Sequence, residues 1–225
     1  MIAMKEEALI EEKDGDQESI LVLSSCTSRK DPRASEDRLF PAEEIYLGEQ
    51  HRRLMRGIHA FRRSPLTGNL DLRIVSAGLG LIPGERRIAP YDATFQAMPK
   101  DEIDRRAEAM RIPQEVGALL QQERAMNIIL LGSEYMRAAG FLQHQTFSAL
   151  TLIFCSKEWV SHFRGNPSII TIPSGHQQGR DLRCGLVWIK GEMASRLLSM
   201  IADEPGLIPE MKARNVDPLE LIYGA

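Results

Sequence analysis

Five short apolar runs punctuate the chain, and each reads as a buried strand. They are Ile20 to Ser25, Leu72 to Ser76, Asn127 to Leu131, Leu150 to Cys155 and Ser168 to Ile172. Runs that are apolar on both faces, without alternation, predict the strands of a parallel sheet covered by helices. Between them the apolar positions change to helical spacing. Pro41 opens one predicted helix, with Glu43 and Glu44 in its first turn and Leu47, Leu54, Ile58 and Phe61 along its inner face. Asp101 to Arg111, a segment from Pro113 through Val116, Leu119 and Leu120, a start after Gly132, and Leu186 to Ile201 predict further helices. Strands alternating with helices predict an α/β fold of three layers: a mostly parallel sheet of five or more strands, flanked by helices.

The same pattern divides the chain. Residues 1–18 are polar, acidic and aperiodic, the character of a disordered tail that is either a solvated leader or a mask for basic patches. Residues 19–202 are expected to form a single α/β domain. Residues 203–225, interrupted by Pro205, Gly206, Pro209 and Pro218, are expected to be an irregular C-terminal tail. Residues 86–125 are rich in charge and lack a strand-like run, and are read as a helical insertion over the carboxyl edge of the sheet.

Composition narrows the class. Hydrophobic residues make up 43% and charged residues 26%, the range of a soluble globular protein. No apolar run approaches the ~20 residues that span a bilayer, and the acidic start is no secretory leader, so no membrane association is expected. Cys26, Cys155 and Cys184 are odd in number and widely spaced, which speaks for a reducing, cytoplasmic setting and against a disulfide framework. The net charge of −3 is concentrated in the first 18 residues; the remaining 24 acids and 26 bases leave a body near +2. Any nucleic-acid role must therefore rest on local patches. Arg52, Arg56, His59 and Arg63 form one such stripe, read either as a solvated helix face or as an edge that tracks phosphates.

In a parallel sheet all the strand exits share one edge. Here they carry Ser25-Cys26-Thr27, Ser76-Ala77-Gly78, Gly132-Ser133-Glu134, Cys155-Ser156 and Ser174-Gly175-His176. A rim of small hydroxyl residues with a carboxylate and a histidine is a binding crevice by geometry. Ser25, Thr27, Arg29 and Lys30, with Arg86 and Arg87, suit an anion such as a phosphate. Cys26 is read as a small packing residue or, beside Arg29 and Lys30, as an activated thiolate. Gly78 and Gly80 let the backbone approach a ligand. There is no GxGxxG, no phosphate-binding P-loop, no HExxH, no GxSxG and no metal-spaced His/Asp cluster, so neither a cofactor nor a metal is expected. His51, His144 and His162 stand alone and read as structural or solvated.

Four segments together resemble the YaaA-like proteins, a bacterial family that includes peroxide-stress YaaA and small uncharacterised relatives. They are Ser24 to Lys30, Pro41 to Tyr46, Ser76 to Leu81 and Pro90-Tyr91-Asp92, spread over roughly residues 20–95. The family's Cys-x-x-x-Lys motif, Pro-Ala…Tyr helix start, Ser-Ala-x-x-Gly-Leu turn and Tyr-Asp pair fall on these positions. The resemblance implies an α/β fold, an association with DNA or modified-base metabolism in stress response, repair or defence, and distant kinship with uracil-DNA-glycosylase-like folds. Glycosylases of that kind carry a late His-Pro-Ser motif, where this chain has Pro173-Ser174-Gly175-His176.

The expectation is therefore a nucleotide- or nucleic-acid-binding protein that acts on a nucleoside glycosidic bond or a modified base. Asp92 would stabilise the cationic sugar, Tyr91 would stack on the base and His176 would donate to it, with Glu134 as a reserve carboxylate. Ser76, Ser133 and Ser174 would contact the ligand. The alternative is a non-enzymatic binding subunit of a nucleic-acid defence or repair assembly. Its mark would be an apolar docking patch around Leu207, Ile208, Leu219, Leu221 and Ile222 in the C-terminal tail.

Overall fold

A computed structural model describes residues 19–143 and 145–224. The expected tail at 1–18 and His144 lie outside the described residues. The main sheet has six strands: β1 (Ile20–Ser25), β3 (Leu70–Ser76), β4 (Gly80–Pro83), β6 (Met126–Ile129), β7 (Leu150–Cys155) and β8 (Ile169–Pro173). Their order is β4-β3-β1-β6-β7-β8, and only the β3–β4 pair is antiparallel. All five apolar runs are strands, so the fold is α/β with a mostly parallel sheet. Ile20 to Leu23 of β1 are fully buried, with Val22 registered between Leu72 and Ile128.

The order of the strands creates the site. From β1 the chain moves outward to β3 and β4, then crosses back over β1 to β6, β7 and β8. Connections from neighbouring strands β1 and β6 thus leave in opposite directions, and such a reversal opens a crevice at the carboxyl ends.

The helices are α1 (Ala42–Ile45), α2 (Glu49–Arg63), α3 (Lys100–Ala109), α4 (Ile112–Leu120), α5 (Ser133–Ala138), α6 (Lys157–His162), α7 (His176–Asp181), α8 (Ile189–Asp203), α9 (Leu207–Lys212) and α10 (Pro218–Gly224). Leu54, Ile58 and Phe61 of α2 are buried, as their spacing predicts, while Arg52, Arg56, His59 and Arg63 are exposed. Helices α2 and α8 cross closely because glycines meet backbone at the crossing. A Cβ on Gly57 would lie 2.5 Å from Ser195 Cα, and one on Gly191 would strike the Gln50 carbonyl.

Four expectations need correction. The helix from Pro41 is broken at Tyr46–Gly48, because this stretch pairs with the β1 exit: Asp31 N–H donates to Ile45 O and Leu47 N–H to Arg29 O. Residues 86–125 do contain a strand, β5 (Arg87–Ile88), which pairs antiparallel with β2 (Phe40–Pro41). The helix expected from Leu186 begins only at Ile189. Residues 207–224 are largely helical, since Pro209 and Pro218 sit in first turns, where proline starts a helix as readily as it stops one. Their apolar side chains face inward: Leu207 and Ile222 are buried, and Ile208, Leu219 and Leu221 pack on the core. The expected patch is thus covered at Leu207 and Ile222 and half-exposed at Ile208, Leu219 and Leu221.

Candidate functional site

The exit of β1 carries the densest polar chemistry. Cys26 N–H donates to Val75 O at 3.0 Å, continuing the sheet for one residue. The Cys26 thiol then lies buried, its Sγ 3.1 Å from Tyr135 Oη. Thr27 ties down the following loop. Its hydroxyl donates to Arg29 O at 2.8 Å and accepts from Gly48 N–H at 3.2 Å. That fold-back brings Lys30 inward. Lys30 Nζ donates to Thr27 O at 3.4 Å and sits over the Tyr91 ring, 4.3 Å from its centroid. Burial lowers the Lys30 pKa, against the opposing influence of Cys26 and Asp92.

A chain of hydroxyls holds Tyr91. Ser76 Oγ accepts the N–H groups of Gly78 and Leu79, at 3.2 and 3.0 Å. With two acceptor positions used, its proton is left to point at Tyr91 Oη, 2.6 Å away. Tyr91 in turn points its proton at Tyr46 Oη, at 2.5 Å. Gly78 is required here, because a Cβ would lie 2.6 Å from the Tyr91 ring. Tyr46, Tyr91 and Tyr135 are three of the chain's four tyrosines. Burial raises the pKa of each, so the phenols are held neutral as hydrogen-bonding groups. Thr94 Oγ1 lies 3.4 Å from Tyr135 Oη, and Phe95 packs edge-on to the Tyr135 ring.

The exits of β6 and β7 form a second group. Lys190, from the first turn of α8, donates to Leu131 O at 2.6 Å, and Gln50 donates to Leu130 O at 3.1 Å. Burial lowers the Lys190 pKa to about 8, opposed by Cys155 and Glu134. Burial likewise pushes the Cys155 thiol up to about 11. Ser174 Oγ donates to Cys155 O at 3.2 Å, and Ser133 Oγ accepts the Trp159 indole N–H at 3.2 Å.

The sheet therefore brings Cys26, Lys30, Ser76, Gly78 and Tyr91 together, with Asp92 close enough to act on Lys30. Ser25 ends β1, and Gly80 opens β4 with φ of +77°. The other expected partners Arg29, Arg86, Arg87 and His176 make no side-chain hydrogen bond or ion pair with this group among the described residues. Arg29 and Arg86 are exposed, and the Arg87 guanidinium donates to Leu39 O at 2.6 Å on the two-stranded sheet. His176 is exposed at the start of α7, after β8. Its strand β8 stands four positions from β3 and three from β1 in the sheet. Tyr91 is no free stacking surface, since Lys30 covers its ring and its hydroxyl is doubly bonded. His51 and His162 are structural, as expected, each bonding a main-chain carbonyl through Nε2. Tyr46 closes the Pro-Ala…Tyr segment of the resemblance, whereas Tyr135 and Lys190 carry no local motif, and Lys190 is brought to the site by α8 from far along the chain.

Set against known proteins, the chain matches no family model, no curated protein and no solved structure, so its site is described by its own geometry alone.

Proposed function

We propose that the chain binds a nucleotide or nucleic-acid strand at the carboxyl ends of β1, β3 and β6 and breaks a nucleoside glycosidic bond. The observation that carries this reading is the Lys30 amine, drawn in over Tyr91 with the Asp92 carboxylate acting on it. A departing base needs a proton, and an amine whose pKa burial lowers is a better donor than an exposed one. Asp92 stabilises the cationic sugar left behind, and water closes the reaction by bonding to the anomeric carbon and losing a proton to solvent. Lys30 thus takes the donor role expected of His176. The resemblance of residues 20–95 to the YaaA-like proteins supports the same reading, including a place in DNA repair, stress response or defence.

In this reading residues 19–202 work as one domain in the reducing cytoplasm, and the segment 86–125 covers the carboxyl edge. Three contacts support the cover: Arg106 Nε donates to Ala77 O at 2.7 Å, Phe95 packs on Tyr135, and α3 packs against α5.

The test incubates wild type, Asp92→Asn and Lys30→Met with nucleosides, nucleotides and DNA containing uracil or deazaguanine bases, and measures released base by mass spectrometry. Wild type should release base. Each variant should be slower by roughly a hundredfold or more, with ligand binding nearly intact. Equal release by all three proteins would remove both residues from the mechanism, and no release from any substrate would refute the reaction.

A further inference from the structure

Beside the Lys30 site, a second cleft of about 270 Å³ opens between α3, α5 and α6. Met98, Ile103 and Leu142 supply apolar walls and Trp159 a largely buried aromatic one; the charged lining is Lys100, Glu134, Arg137 and an exposed Glu158. The cleft falls just below the range of about 300–1,000 Å³ typical of small-molecule pockets, a size for one flat heterocycle rather than a whole dinucleotide.

The polar groups of the cleft are not equally available. Ser133 is engaged by the Trp159 indole, and Arg137 is tied to Asp104. Glu134 is half-buried, and among the described residues it makes no hydrogen bond or ion pair; Lys190 acts on it only through its charge. A half-buried carboxylate offers two acceptor oxygens and no donor. Its natural complement is a pair of adjacent N–H donors. Among the common bases, the guanine edge with N1–H and the exocyclic amino group presents that pair, beside a carbonyl that suits a cation such as Lys100.

The cleft also lies where a base would have to go. Glu134 precedes Tyr135, whose hydroxyl reaches Cys26 at the β1 exit. The loop from Tyr91 to Met98 touches Lys30 at one end and the cleft at the other. Strands β1 and β6 are neighbours, so their exits are about 5 Å apart. The cleft and the Lys30 site are thus joined through Tyr135 and the 91–98 loop.

We propose that this cleft is a base-recognition pocket in which Glu134 selects a guanine-type base through its two adjacent N–H donors. The inference rests on the nucleotide reading above and adds the identity of the base. The experiment measures equilibrium binding of guanosine, inosine and uridine monophosphates to wild type and Glu134→Gln by calorimetry. Inosine monophosphate lacks only the exocyclic amino group. Wild type should prefer guanosine over inosine monophosphate by about tenfold, the usual discrimination of a bidentate contact. Glu134→Gln, which replaces one acceptor with a donor, should lose that preference. Equal binding of guanosine and inosine monophosphates by wild type, or a preference that survives in Glu134→Gln, would overturn base selection and leave the nucleotide reading standing. Binding of none of the three would overturn both.

Discussion

Replacing Lys190 by methionine should stabilise the protein at neutral pH and make that gain shrink as pH rises. Lys190 is held at the β6 exit by the Leu131 carbonyl, and burial lowers its pKa from 10.5 to about 8. The unfolded chain therefore binds more protons than the folded one between these values, so this group destabilises the fold below pH 8 and less so above it. The full effect is about 3 kcal/mol at low pH, and between pH 7 and 9 about 1 kcal/mol of it disappears. Methionine keeps the unbranched shape and carries no charge. The assay is urea unfolding of wild type and Lys190→Met at both pH values. Comparing the two proteins cancels groups unaffected by the change, and the lost Leu131 bond adds only a constant offset. The stability of the variant relative to wild type should fall by about 1 kcal/mol from pH 7 to 9. A difference that stays the same at both values would refute the desolvated-amine account.

Three further outcomes can be checked directly. Gly57→Ala places a methyl against the Ser195 backbone, which cannot rotate away. The strain should outweigh the gain in helix propensity by about 1–2 kcal/mol, a melting-point loss of about 3–8 °C, whereas Gly206→Ala, with open space around it, should not lower the melting point. Gly78→Ala should push Tyr91 off its hydroxyl chain and lower base release while costing roughly 1 kcal/mol in stability, both read on the same purified protein. Thr151→Val strips the Asn127 amide of its 3.0 Å partner inside the sheet and should cost about 1–3 kcal/mol in chemical denaturation.

The parallel strands are legible in the sequence because burial on both faces demands unbroken apolar runs. Strand β4 is not, because Gly80 to Pro83 is short and its antiparallel pairing with β3 follows from a turn through Gly80 that looks the same as a loop. The C-terminal helices are hidden by Pro209 and Pro218, whose meaning depends on whether a helix starts or ends there. For the site, Cys26, Lys30, Ser76 and Tyr91 stand out because they follow strands or sit in one unusual loop. The link from Cys26 to Tyr135 spans 109 residues and has no local signature. The place of His176 shows a different limit. A shared sheet edge is a line, not a point, and only strand order tells which exits are neighbours.

The glycine-to-backbone crossing of α2 and α8 has a temporal side. Gly57 and Ser195 are partners in the finished fold but far apart along the chain. At ordinary ribosomal speeds of about 5–20 residues per second, roughly 7–30 seconds pass between their syntheses. During that interval the strands of the sheet are still being added and α2 lacks α8, the helix it packs against most closely. A ribosome stalled before α8 would therefore hold a chain with an apolar helix face open to water, a surface a chaperone can grip.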